Sequence, residues 1–504
     1  MKKVVFIKNA VVLTVTTLIL RFAGVIFKVW LGRTVGSESI GLYQIILSVY
    51  ALASAFATSG ISTAVVSIVA KEIAVNNPFF AKKAVIKGVF YTILLSFCTV
   101  VLLFWGANFI ALKFIGDTRA ALALKIIAVG VVFVGLCSCF RGYFIARRKA
   151  GASSFSQIAE QTARILLSVF LITRFYNRGV TFTVAAMVVG DIGAEALSAL
   201  ILWICYKKDV KKLNPVKLGT KNNLNRQILN IALPITAGRY LSSSLRTVEN
   251  AAVPRLLTLG ALSSSASLSF FGAIKGMALP LLLFPSSFLG AVSLLLIPEL
   301  SELKAKKQGK SISRAITLIF KITAVFGIIF GCIFWFCGQN LGILLYNDSS
   351  VGFCVKILAP LVPLMYLDSI CDGLLKGLDC QKSTFYYSVF DSLLRLVLVF
   401  LFVPKYSVYG FIFIMYLSNI LTTVLNAKKL LTVTKTKLNI LKFVVWPLVV
   451  GLGVCSGINL ILNKITPQNT IWVVLLIVFS VVFYFLILLA TGFIKKDNLK
   501  NIIR

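Results

Sequence analysis

Two pairs of cations stand inside apolar segments of this 504-residue chain. Arg21 and Lys28 lie in the run from Val11 to Leu31, and Arg239 and Arg246 in the run from Ile228 to Asn250. Each pair is seven residues apart, which puts both members on one helix face, two turns apart. A helix that crosses a bilayer needs about 20 mostly apolar residues, and a cation at its centre costs roughly 2.5–3.5 kcal/mol on insertion scales. Cations repeated at that expense predict a membrane cavity that holds an anion. Snorkelling to the headgroups is the plain alternative, and it suits Lys28 and Arg246 better than the mid-helix Arg21 and Arg239.

Acids also stand in apolar runs: Glu160, Asp191, Glu195, Asp368, Asp372 and Asp391. Glu160 with Arg164, and Asp391 with Arg395, are acid–cation pairs at i, i+4, the spacing that brings side chains together on a helix. They read as structural ion pairs. Asp368 and Asp372, one turn apart, are candidates for ion coupling, since paired acids hold a cation or share a proton. Neutralisation by Lys356 or Lys376 is the equal alternative. The chain has no histidine, so H+ coupling falls to carboxylates and the commonest metal ligand is missing. Its ten cysteines are scattered through apolar runs, Cys137 and Cys139 being the nearest pair. They read as small buried hydrophobes, and no metal site or other cofactor is expected beyond coupling Na+ or H+. No His, Asp and Ser constellation points to an enzyme.

The elements that carry these residues are membrane helices. Hydrophobic residues make up 59% of the chain and the mean hydropathy is +0.94, well above the apolar share of soluble domains. The net charge of +36 would suggest nucleic acid in a soluble chain. Here the charge sits in short loops between apolar spans and speaks of topology. Fourteen spans are predicted, the first a retained helix rather than a cleaved signal peptide, because no small-residue cleavage site follows it. The second is expected to break at Thr58-Ser59-Gly60 and the eighth at Pro280 and Pro285. Loops on the side of both termini hold most of the 52 Lys and Arg, which makes that side cytoplasmic. The charges within the spans call for a wet interior, although Arg141 and Lys356 lie near helix ends, where snorkelling serves as well.

The chain reads as a repeat. Residues 1–226 and 227–427 form two six-helix lobes, and 428–504 add two helices and a cytoplasmic tail. Arg21/Lys28 aligns with Arg239/Arg246, Ala64-Val65 up to Glu72 with Ala291-Val292 up to Glu299, Arg141-Gly142 with Lys376-Gly377, and Glu160/Arg164 with Asp391/Arg395. Parallel repeats of this kind belong to transporters that rock one half against the other. No filter-like sequence of a channel is present.

Leu20-Arg21-Phe22-Ala23-Gly24, Gly41-Leu42-Tyr43-Gln44, Phe140-Arg141-Gly142-Tyr143, Gln157-Ile158-Ala159-Glu160-Gln161, Gly276-Met277-Ala278-Leu279-Pro280 and Ile297-Pro298-Glu299-Leu300 resemble, as an ordered set, the stage V sporulation protein B branch of polysaccharide flippases. These belong to the multidrug/oligosaccharidyl-lipid/polysaccharide exporter superfamily, beside the lipid II flippases. The resemblance implies a V-shaped pair of lobes, alternating access, and a polyprenyl-diphosphate-linked sugar as cargo, in peptidoglycan (spore cortex) or polysaccharide synthesis. It assigns cargo binding to Arg21, Lys28, Arg239, Arg246 and Lys275, with Lys28 where Arg is frequent, and accommodation of the lipid tail to the two extra helices. Arginine's fork matches phosphate oxygens in two places at once, so these cations are expected to meet the diphosphate between the lobes. Ser242, Ser243 and Ser244 are either hydroxyls for the sugar or aids to close packing. The expected partners are the lipid-linked oligosaccharide, membrane lipid and cell-wall synthesis proteins. A multidrug–cation antiporter of the same superfamily, or a scaffold without transport, are the rival functions. The positive excess among the span charges disfavours the first.

Overall fold

The computed structural model describes residues 2–75, 77–212, 223–260, 262–290, 302–303, 306, 308–464 and 470–493. Among them the protein is all α-helical. In hydrocarbon every backbone N–H and C=O must be satisfied within the chain, and a helix does this within one segment. The helices are α1 (Lys2–Ala74), α2 (Pro78–Phe109), α3 (Ala120–Ala146), α4 (Ala150–Phe175), α5 (Val180–Lys211), α6 (Leu224–Leu259), α7 (Ser264–Gly272) and α8 (Leu279–Leu283). They continue as α9 (Gly309–Tyr346), α10 (Ser349–Leu358), α11 (Val362–Gly377), α12 (Gln381–Thr434), α13 (Ile440–Lys464) and α14 (Thr470–Ala490).

Two of these are too long for one crossing. At 1.5 Å per residue, α1 and α12 measure about 110 and 80 Å, against a hydrocarbon core of about 30 Å. Each is bent once. In α1 the bend is Gly36, at φ 77° and ψ 168°, a backbone conformation open to a residue without Cβ. In α12 it is Ser407, at φ 50° and ψ −127°, three residues after Pro404, which has no N–H to give to the helix. With α7–α8 and α10–α11 each counted as one crossing, the described helices make the fourteen predicted spans. Eight stretches meet the length and hydropathy of a membrane span, including both bent helices. Large apolar side chains face outward along them, among them Leu102, Trp105, Phe109 and Leu401. Water would not tolerate such a belt, whereas lipid requires it. The chain is a multi-pass membrane protein.

One expected break is absent. Helix α1 runs unbroken through Thr58, Ser59 and Gly60. The glycine serves close packing instead: a Cβ on Gly60 would lie 2.0 Å from the carbonyl oxygen of Ala232 on α6. The eighth span ends before Pro285, while Pro280 lies inside helix α8 and does not break it. A π-helical stretch, Ala273–Ala278, precedes Pro280, and the helix stops at Leu283.

The contacts group into two compact units. The first comprises Met1–Phe27, Ser37–Gly272 and Leu396–Ser407; the second comprises Lys28–Gly36, Ala273–Arg395 and Val408–Arg504. In the first, Ile61, Val65 and Ile68 of α1, Val85 of α2, Phe140 and Tyr143 of α3, Tyr206 of α5 and Ile228 of α6 share one buried cluster. In the second, buried tyrosines tie neighbouring segments through backbone carbonyls: Tyr366 donates to Leu282 at 2.7 Å and Tyr484 to Val325 at 3.2 Å. Each such bond satisfies a phenol that would otherwise be stranded in an apolar interior.

Candidate functional site

Of the five expected cargo cations, Arg21, Arg239 and Arg246 belong to the first unit, Lys28 and Lys275 to the second. Arg21, Lys28, Arg239 and Arg246 all have exposed side chains on helices of mostly apolar sequence. The helix α6 that carries Arg239 and Arg246 lies antiparallel against the part of α1 after the bend. The backbone N–H of Gly60 donates to Thr236 Oγ1 at 3.1 Å, the Phe56 and Tyr240 rings meet edge to face at 6.0 Å, and Thr247 Oγ1 donates to the Ser48 carbonyl at 2.8 Å. These three contacts hold one register along α6, so Arg239 and Arg246 keep a fixed separation of about 10 Å along the axis. Ser242 Oγ donates to the Gly238 carbonyl at 3.1 Å, within its own helix. Lys275 sits in the π-helical stretch, with its Nζ 5.9 Å from the centre of the Phe411 ring. Single π turns inside helices are frequent at functional sites.

The acids are held differently. Arg164 Nη2 stands 3.2 Å from Glu160 Oε1, and Arg164 Nε 3.0 Å from Asp191 Oδ1 on α5. Arg141 Nη2 pairs with Glu160 Oε2 and donates to Ser198 Oγ at 2.9 Å. It therefore binds within the first unit and does not serve as a snorkelling end. Tyr43 donates to Asp191, and Tyr50 donates to Glu195. Helices α1, α3, α4 and α5 are thus joined by one polar network. The sequence places Asp191 and Glu195 in a span but does not pair them with Tyr43 and Tyr50. The available signal was their spacing: Tyr43 and Tyr50 are seven apart, Asp191 and Glu195 four apart, each pair on one helix face.

In the second unit, Asp391 accepts from Ser418 Oγ at 2.6 Å. Asp368 accepts from Asn426 Nδ2 at 2.8 Å, and Asp372 pairs with Lys376 at 2.5 Å. Asp368 and Asp372 therefore have separate partners, an amide for the first and an ammonium for the second. Lys356 is exposed on α10. Ala291-Val292 and Ile297-Pro298-Glu299-Leu300 lie outside the described residues. Among those described, no group of three His, Cys, Asp or Glu is placed to hold a metal, and all ten cysteines are free thiols. In a loop between spans, Arg119 pairs with Asp117 and with Glu38, each at 2.8 Å. Hydrogen bonding to Asp117, then to Glu38, raises Arg119 above the ordinary guanidinium range.

Helices that make fourteen crossings and carry cations and ion pairs define a polytopic α-helical membrane protein. The profile of a family described as polysaccharide biosynthesis protein matches residues 6–304, and the chain belongs to that family. Stage V sporulation protein B of Bacillus subtilis (strain 168) is 24% identical over 511 residues, spanning 100% of this chain and 98% of that protein. The lipid II flippase MurJ of the same organism is 23% identical over 217 residues, 40% of this chain and 39% of that one. A solved structure of a lipid II flippase MurJ in an inward closed conformation shares the fold, with a TM-score of 0.72 at 16% identity over 97% of this chain and 99% of the other.

Proposed function

We propose that this protein is an alternating-access flippase that moves a polyprenyl-diphosphate-linked sugar, lipid II or a related cell-wall or polysaccharide precursor, from the inner to the outer leaflet. The observation that carries the reading is the twin cation pair, Arg21/Lys28 and Arg239/Arg246, exposed on apolar helices. A drug-cation exporter needs the opposite sign. The cargo's diphosphate is the anion that such cations are suited to bind, with Lys275 as a fifth, because guanidinium forks and phosphate oxygens match in geometry as well as charge. Family membership, and a relative named for lipid II flipping, support a lipid-linked cargo. The basic loops support termini on the cytoplasmic side. Asp368 and Asp372 remain the proposed site for coupling Na+ or H+; the amide on Asp368 leaves its charge without an ammonium partner in that bond, while Lys376 neutralises Asp372. Cell-wall synthesis proteins are the proposed partners.

The test is flipping of fluorescent lipid II, with competing lipid-linked glycans, in proteoliposomes. Loss of one charged partner from a desolvated contact costs about 2–5 kcal/mol, so Arg21→Ala and Arg239→Ala should each slow flipping by about 30-fold or more. Normal flipping by both variants at normal expression would sink the proposal.

A further inference from the structure

The first unit contains a cavity of about 300 Å³, walled by Thr58, Ser62, Ser138, Arg141, Glu160 and Glu195 among others. All of these residues belong to that unit. Among the described residues three carboxylates stand in its network, Glu160, Asp191 and Glu195, with two guanidinium groups, Arg141 and Arg164. Arg164 spans Glu160 and Asp191, and Arg141 takes the other oxygen of Glu160. Glu195, only 7% exposed, has no cation in ion-pair distance among the described residues, and receives the Tyr50 hydroxyl. One negative charge is left over in an apolar helix bundle. A lone carboxylate in such a place is neutralised rather than left bare.

We propose that Glu195 is a proton-binding site of the first unit, separate from Asp368 and Asp372. The ligand is a proton and not a metal ion for two reasons. Arg141 shares the cavity and repels any bound cation. No metal-holding group of acids exists among the described residues. The charged and titratable groups around Glu195 are Tyr43 and Tyr50 from α1, Cys137 and Arg141 from α3, Glu160 and Arg164 from α4, and Asp191 from its own helix. The chemistry is one O–H bond: a proton from cavity water adds to a Glu195 oxygen and later returns. With the proton gone, the carboxylate competes with Glu160 and Asp191 for Arg141 and Arg164. A single guanidinium changing partner would shift α3 or α4 against α5. Proton binding is thereby tied to helix position, which makes it a coupling site if the protein is a flippase, as proposed above.

Two measurements separate this proposal from that reading. Infrared difference spectra of the purified protein, taken across a pH titration, should show a carboxylic acid C=O band that disappears in Glu195→Gln. In proteoliposomes bearing fluorescent lipid II, flipping should vary about tenfold per pH unit on its limiting limb, and less than about twofold in Glu195→Gln. Tyr50→Phe is the companion variant if Glu195→Gln does not fold, and should move the titration midpoint of the band. A band that survives Glu195→Gln, or a midpoint indifferent to Tyr50→Phe, overturns the proposal. Loss of the band from a protein that flips no lipid-linked sugar upholds the proton site and removes the flippase reading.

Discussion

An acid followed four residues later by arginine occurs once in each unit, at Glu160/Arg164 and at Asp391/Arg395, and the two pairs have different surroundings. Around the first, a second arginine, two more carboxylates and two tyrosines from four helices close an ionic network. Around the second, Ser418 donates to Asp391 from beyond the bend of the same long helix, and Asn426, further along it, donates to Asp368. The same local device joins a network drawn from four helices in one unit, and in the other its acid takes a hydroxyl from its own long helix. The difference teaches that i, i+4 spacing fixes which residues meet on a helix, while the neighbouring helices decide what that meeting is for.

The comparison can be broken most forcefully at Arg164. Arg164→Ala leaves Glu160 and Asp191 short of a guanidinium and should destabilise the first unit by about 3–5 kcal/mol, read as a large fall in the thermal unfolding temperature in detergent. A change within error would mean that the network is not ionic in the folded protein. Next comes Gly60→Ala, which sets a methyl against the Ala232 carbonyl and should cost about 1–3 kcal/mol through overpacking. Limited proteolysis should show α6 loosened from α1, and unchanged protection would contradict the tight seam. Asn426→Ala takes the amide from Asp368 and should cost about 1–2 kcal/mol, the range for a partly buried acceptor left unsatisfied. The sharpest contrast is Lys376→Ala. Its bond to Asp372 lies at the surface, and less than about 1 kcal/mol should be lost, with salt reducing even that. If Lys376→Ala matched Arg164→Ala, the distinction between a buried ionic network and an exposed ion pair would fail.

Much of this was legible in the chain. Apolar runs of membrane length are hard to read otherwise, and the count of spans followed from them. Glu160/Arg164 was legible because the pair is local. Arg141 was not, because its partner Glu160 lies 19 residues away on another helix. Tyr43 and Asp191 are 148 apart, and nothing in spacing reports a contact made through the fold. Gly60 misled for a related reason: glycine marks a break, a turn or a close approach alike, and only the neighbour Ala232 shows which. The π turn at Lys275 has no local signature, since one extra residue in a helix turn looks like any other apolar helix residue.

The seam between α1 and α6 has a mechanical consequence. Its contacts at Ser48, Phe56 and Gly60 span about 18 Å of helix, like teeth on a rack, and the Gly60 tooth allows no gap. Piston-like travel of one helix along the other would have to go by whole turns of about 5.4 Å and disengage every tooth at once. The two helices should therefore swing as a single lever. Cysteine pairs that bridge them at Phe56 and Tyr240 would then cross-link without stopping the flipping proposed above.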